Sequence, residues 1–174
     1  MTQQFAPLIK RCTGAITNEW IDGIYAERRT QLTSLLSYGQ LVNHLPDILD
    51  QLSSLLGAAP TDEQIAEAAR HLRVFPQVRF QQGVLLDEVA CELMILRQVI
   101  NAFLWREGGI AHDEDVQNLH NALARANRFI DEMITQSVIV YAASQRPPVS
   151  TRTSIWPPPR RAPVAKFPER SKQQ

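Results

Sequence analysis

Between Leu85 and Arg106 the chain reads LLDEVACELMILRQVINAFLWR, and Leu86, Val89, Leu93, Leu96, Ile100 and Phe103 follow one another at spacings of three and four. Only a helix puts such residues on one face. Met94 and Ile95 widen the stripe, so this helix must be covered on more than one side and is expected to be central. Any fold available to the chain is therefore one that packs other elements around it.

The rest of the body supplies helices for that purpose. Thr17 is expected to cap a helix that carries Trp20, Ile21, Ile24 and Tyr25. A stretch from Leu32 to Leu41 leads into NHLPDILDQLSSLL, where Pro46 suits a first turn and Leu45, Ile48, Leu49, Leu52, Leu55 and Leu56 form a buried stripe closed by Gly57. Pro60, Thr61 and Asp62 open the next helix, which Pro76 should kink or interrupt before Gly83 ends it. In the last helix Val116, Leu119, Leu123, Ala126, Ile130, Met133, Ser137 and Val140 keep a three-four repeat suited to a pairing seam. No segment reads as a strand. The expected fold is all-α: one bundle of about five to six helices over residues 16–145, with an N-terminal extension over 1–15 and a disordered tail over 146–174.

Charge separates body from tail. After Gln145 lie seven basic residues against the single acid Glu169, so the tail is near +6 and the body, in a chain of net charge zero, near −6. An acidic body is a poor nucleic-acid partner. Seven of the prolines also lie in the tail, which favours extended, polyproline-like chain over a packed core. The body's apolar runs fall well short of the ~20 residues that span a bilayer. The two cysteines, Cys12 and Cys91, have neither disulfide-framework nor metal-ligand spacing, which fits a cytoplasmic protein.

The stretch RHLRVFPQVRF, from Arg70 to Phe80, resembles the phosphoacceptor box of bacterial sensor kinases. That box needs an acid directly after the histidine to polarise the imidazole. Here Leu72 follows His71, and no glycine-rich nucleotide-binding box occurs anywhere in the chain. His112 does precede acids, but Asp113 to Asp115 read as the cap and first turn of the last helix. No nucleophile-base-acid pattern or metal set appears, so neither an enzyme nor a cofactor is expected. Arg79, Glu92 and Arg97 stand out instead, as charges among apolar neighbours. They are expected either to form structural ion pairs or, with His71, to mark a polar site where a small anionic ligand or a partner loop changes the packing.

The pattern His71, Arg79, Gly83, Glu88, Glu92, Leu96, Arg97, with His44, Leu45, Pro46 and Leu49 upstream, resembles the N-terminal domain of the RsbT co-antagonist proteins, which also serves as the input module of bacterial sensor histidine kinases. The resemblance runs from about Ile16 to Tyr141. It implies a helical sensory or regulatory domain of bacterial stress-response or two-component signalling, without catalysis of its own. Kinase relatives continue past the position of Tyr141 into a dimerising helix, whereas this chain turns to RPPVSTR. Output is therefore expected through a partner such as a kinase, a switch protein or a phosphatase. A homodimer seam is expected on the last helix at Leu123, Ile130, Ile134, Val138, Ile139 and Tyr141. The rival reading is an adaptor that presents its basic, proline-rich tail to a protein partner, and a third is a histidine phosphotransfer protein or a kinase remnant.

Overall fold

The computed structural model describes residues 5–108 and 112–145. Among them every regular element is helical. In chain order these are α1 (Phe5–Arg11), α2 (Thr13–Ala26), α3 (Leu32–Leu35), α4 (Tyr38–Val42), α5 (Leu45–Gly57), α6 (Asp62–His71), α7 (Val74–Gln81), α8 (Leu86–Glu107) and α9 (Asp113–Gln145). Five of the nine reach ten residues or more, and the others are short turns that link or cap them. The expected tail, residues 146–174, lies outside the described residues.

The 22-residue α8 is the centre that its two-sided stripe requires. Helix α2 packs on one side and the 33-residue α9 runs antiparallel along the other. Helices α5, α6 and α7 cover the rest of α9, and a single core joins Trp20, Leu49, Leu96, Phe103 and Phe129. Close approach of α2 to α8 depends on Gly23, whose missing Cβ would lie 2.8 Å from the Ile95 side chain.

Local chemistry accounts for most boundaries. Thr61 caps α6 in a reciprocal box with Gln64, and Ser37 and Gln40 do the same for α4. The second box splits the expected Leu32–Leu41 helix, because Ser37 takes an extended conformation there. The helix expected to kink or break before Gly83 is interrupted. The break falls earlier, at Leu72 and Arg73, and Pro76 sits in the first turn of α7, where a missing N–H leaves no carbonyl unpaired. Gly83 ends α7 with φ +77°, and the Val84 N–H then closes back on the Arg79 carbonyl at 3.0 Å.

Two sequence expectations need correction at the N-terminus. Thr17 is not a cap; α2 begins at Thr13, and the Thr17 hydroxyl donates to the Thr13 carbonyl at 2.8 Å inside the helix. The stretch expected as an extension contributes α1, whose Phe5 and Ile9 are buried against α5. Phe5, Leu8, Ile9 and Cys12 share one helical face, and the Ser53 hydroxyl of α5 donates to the Ala6 carbonyl at 2.8 Å.

Candidate functional site

The largest polar feature of the core is an arginine with no exposure at all. Arg79, on the inward face of α7, sends Nε to Glu92 Oε2 at 3.0 Å and Nη2 to Glu92 Oε1 at 2.7 Å. Nη1 donates to the Gln40 carbonyl and to Gln82 Oε1, and Nη2 also donates to the Leu41 carbonyl. A guanidinium has five N–H donors, and here all five are taken by protein oxygens. That saturation is what makes a buried charge tolerable in this bundle. Burial pushes the Glu92 carboxyl up from its ordinary range, and the Arg79 fork opposes that push.

Five other elements meet at this pair. Two of its carbonyl partners are at the end of α4, so the guanidinium caps that five-residue helix from outside. The Trp20 indole of α2 donates to the Glu92 carbonyl at 3.3 Å. Phe75, one turn before Arg79, lies 5.2 Å from the guanidinium and receives the His44 ring edge-on at 5.8 Å. From α9 the Tyr141 hydroxyl donates to the Val84 carbonyl at 2.7 Å, on the turn that follows Arg79. Burial, and then the charge of Glu92, pushes the Tyr141 hydroxyl up to about 12. Glu88, one turn before Glu92, holds the start of α3 by accepting from the Gln31 N–H at 3.1 Å and from the Thr30 hydroxyl.

Beside the ion pair is a small cavity of ≈ 10 Å³ between α2, α5, α7 and α8. Its walls are mainly apolar, with Trp20, Ile48, Phe75 and Leu96 among them, and His44 reaches it from the cap position of α5. His44 is 8% exposed, and its Nε2 has no partner among the protein groups. Burial pulls the His44 pKa down, and neighbouring Arg79 adds to this, with Asp47 opposing. The folded protein therefore keeps the ring neutral to lower pH than the unfolded chain, which takes up a proton below about pH 6.5. Stability conferred by a neutral His44 is present above that value and is lost as pH falls below it. Thermal melts between pH 7.5 and 5.5 should show stability falling by no more than about 1.4 kcal/mol over the whole interval, and His44→Phe should flatten that slope. A slope that the substitution leaves unchanged assigns the titration to another group.

Of the four residues expected at one site, the structure brings together only Arg79 and Glu92. His71 is on the solvent face of α6, 3.0 Å from Glu67. Arg97 faces α9 and pairs with Asp131 at 2.7 Å. At Arg79 itself no guanidinium donor is left for an anionic ligand. His44 and Tyr141 complete the junction without having been expected there. The sequence signal for His44 was a ring at an N-cap position, where a short oxygen side chain is usual and where this imidazole makes no cap bond. The expected seam is divided: Ile130 and Tyr141 are buried in the core, Leu123 and Ile134 pack partly against it, and only Val138 and Ile139 are exposed. Helix α9 contacts α5, α6, α7 and α8, so it uses more than one apolar stripe within its own bundle.

The family model described as the RsbT co-antagonist protein rsbRD N-terminal domain matches residues 14–153, most of the chain. The chain belongs to that family. The match takes in Trp20, His44, Arg79, Glu92 and Tyr141, so the whole junction lies inside an rsbRD-type N-terminal domain. Membership makes it a regulatory domain of stress-response signalling. No curated protein and no solved structure matches the chain. Among the described residues of this rsbRD-type domain no cluster of three metal-binding side chains occurs, and no helix is long and apolar enough to cross a membrane.

Proposed function

We propose that this rsbRD-type domain is a non-enzymatic signal-input module that passes a change of packing at the Arg79–Glu92 junction through α9 to a protein partner. One observation carries the reading: a saturated, fully buried ion pair ties α4, α7 and α8 together, and the end of α9 is latched to the turn directly after it. Such a junction has few intermediate arrangements, because a displaced guanidinium leaves several buried oxygens unpaired together. A ligand or partner that favours one arrangement then shifts the whole set. Arg79→Lys keeps the charge but loses the fork. Hydrogen exchange in that variant should rise at least tenfold at Val84 and in the last turns of α9, with α1 and α5 near the wild-type rate. A uniform rise would reduce the pair to a general stabiliser. Incubation with labelled ATP and magnesium should leave the protein unlabelled; acid-labile phosphate that disappears in His71→Ala would overturn the non-enzymatic part.

The same reading includes a homodimer. Arg97 pairs with Asp131 and Asn101 with Asn127, which fixes the antiparallel register of α8 against α9. Continuing that register sets Met94 beside Ile134 and Ala90 beside Val138. Met94 is 47% exposed and Val138 47%, so this outer strip offers apolar surface that the bundle does not use. We place the seam there, on α8 and the later half of α9, in place of the stripe through Ile130. Light scattering at micromolar concentration should give a dimer for the wild type and a monomer for Val138→Glu. A wild-type monomer ends this part of the proposal, and a dimer indifferent to the substitution moves the seam elsewhere.

A further inference from the structure

Two shallow cavities follow one another along the side of α8 that faces α2. The first, of ≈ 300 Å³, opens at the start of α8 between Arg29 and the side chains of Asp87, Cys91 and Met94. The second, of ≈ 270 Å³, continues it between Gly23 and Ala26 of α2 and Ile95 and Val99 of α8. The floor is low because α2 offers only small residues there, with Gly23 held against Ile95. The result is a mainly apolar groove with an acidic border. Arg29 is tied to Glu27 by two bonds of 2.9 Å, and Glu88 is engaged by Thr30 and Gln31. Asp87 at the mouth and the exposed Asp22, next to Gly23 on the outer lip, have no ion-pair partner among the described residues. Such a groove suits an extended chain that carries apolar groups with bases on either side of them.

We propose that the groove is the docking site of this chain's own segment from Arg152 to Arg161, RTSIWPPPRR. Position favours it, because the bond from Tyr141 to the Val84 carbonyl sets the end of α9 beside the start of α8, where the groove opens. Reach is sufficient. Trp156 stands eleven residues past Gln145, a span of up to ~36 Å, while two helix widths amount to ~20 Å. The order of the residues also matches. Asp87 and Ile95 are ~12 Å apart along α8, and Trp156 and Arg160 are the same ~12 Å apart along a polyproline II chain. With Arg152 left at Asp87, Trp156 enters beside Cys91 and Met94, Pro157 to Pro159 cross Ala26 and Gly23, and Arg160 and Arg161 arrive at Asp22. Charge agrees on the larger scale, since a tail near +6 meets a body near −6. The docked segment straps α2 to α8, and a partner that uses this face must first displace it. The strap depends on neither the junction reading nor the seam, which is on the α9 side of α8 and meets the groove at Ala90 and Met94.

Cys91 reports occupancy of the groove because it lines the mouth, and Cys12, at the corner between α1 and α2, serves as an internal reference. The test follows alkylation of both thiols by mass spectrometry in the full chain and again with Val138→Glu, which removes the seam. Trp156→Ser changes no charge, so its effect is one of access; it should speed alkylation of Cys91 by at least about fivefold and leave Cys12 unchanged. Arg160→Glu with Arg161→Glu should also speed it, although added negative charge near a thiol would by itself slow the reaction. Asp22→Lys should release the segment too, and combining it with the two glutamates should restore protection. Should Asp22→Lys disturb the fold, the tail variants decide by themselves. Equal rates in wild type and Trp156→Ser overturn the proposal and leave the groove to a separate partner. Protection that fades on dilution assigns the groove to the tail of a second copy and overturns it as well.

Discussion

Arg79→Met should cost ~3–5 kcal/mol, among the largest effects of any single substitution in this domain. The cost comes mostly from what is left behind. Glu92, 2% exposed, would keep a buried carboxylate with no counter-charge, and the Gln40 and Leu41 carbonyls would lose their donor together. A domain of this size has ~5–15 kcal/mol in hand, so the variant should melt some ten degrees or more below wild type. The companion Glu92→Leu, combined with it, should restore a good part of the loss, because an apolar pair strands no charge. Calorimetry on the four members of this cycle gives the coupling directly. Costs that simply add, or a loss under ~1 kcal/mol for Arg79→Met, would show that water reaches the pair.

Removing the aromatic at the end of α9 should cost almost as much. Tyr141 is 3% exposed, it meets Phe80 edge to face with ring centres 5.2 Å apart, and its hydroxyl is bonded to the Val84 carbonyl. Tyr141→Ala should lose ~3–5 kcal/mol by opening a cavity, whereas Tyr141→Phe keeps the ring and should lose only ~1 kcal/mol with the hydrogen bond. The functional content lies in where each loss appears. With Phe in place, exchange should quicken mainly at Val84 and over the last two turns of α9; with Ala it should spread to α7. Equal losses for the two variants would make the hydroxyl, not the ring, the main anchor of this helix end.

The parts legible in the sequence were those written in period or in chemistry. The stripe through Leu86, Val89 and Leu93 declared α8, and Pro60, Thr61 and Asp62 declared the start of α6. Arg79 and Glu92 drew notice because charges rarely stand among so many apolar neighbours, and the fold pairs them. Arg97 and His71 carried the same kind of signal and went elsewhere. A periodic pattern tells which face of a helix is buried, but it does not tell which neighbour covers that face. The same gap explains the seam, since α9 has one stripe for α8 and others for α5, α6 and α7, and the excess read as a dimer surface was partly internal. The partners of Arg79 at Gln40 and Leu41 were invisible for a plainer reason: they are backbone carbonyls, and any residues could have supplied them.

Helices α3 and α4 have four and five residues, too few to persist alone. Each is completed by a side chain far along the chain: Glu88 closes on Gln31 over a separation of 57 residues, and Arg79 on Leu41 over 38. Closing loops of that length carries an entropic cost that must be met before either contact helps. During folding, then, the segment from Thr30 to Val42 should stay unformed until α7 and α8 have docked. Substitutions at Leu32 or Leu41 should act on the unfolding rate and leave the folding rate alone, the kinetic sign of a late arrival. The short segment that closes over the buried pair is therefore also what the domain assembles last.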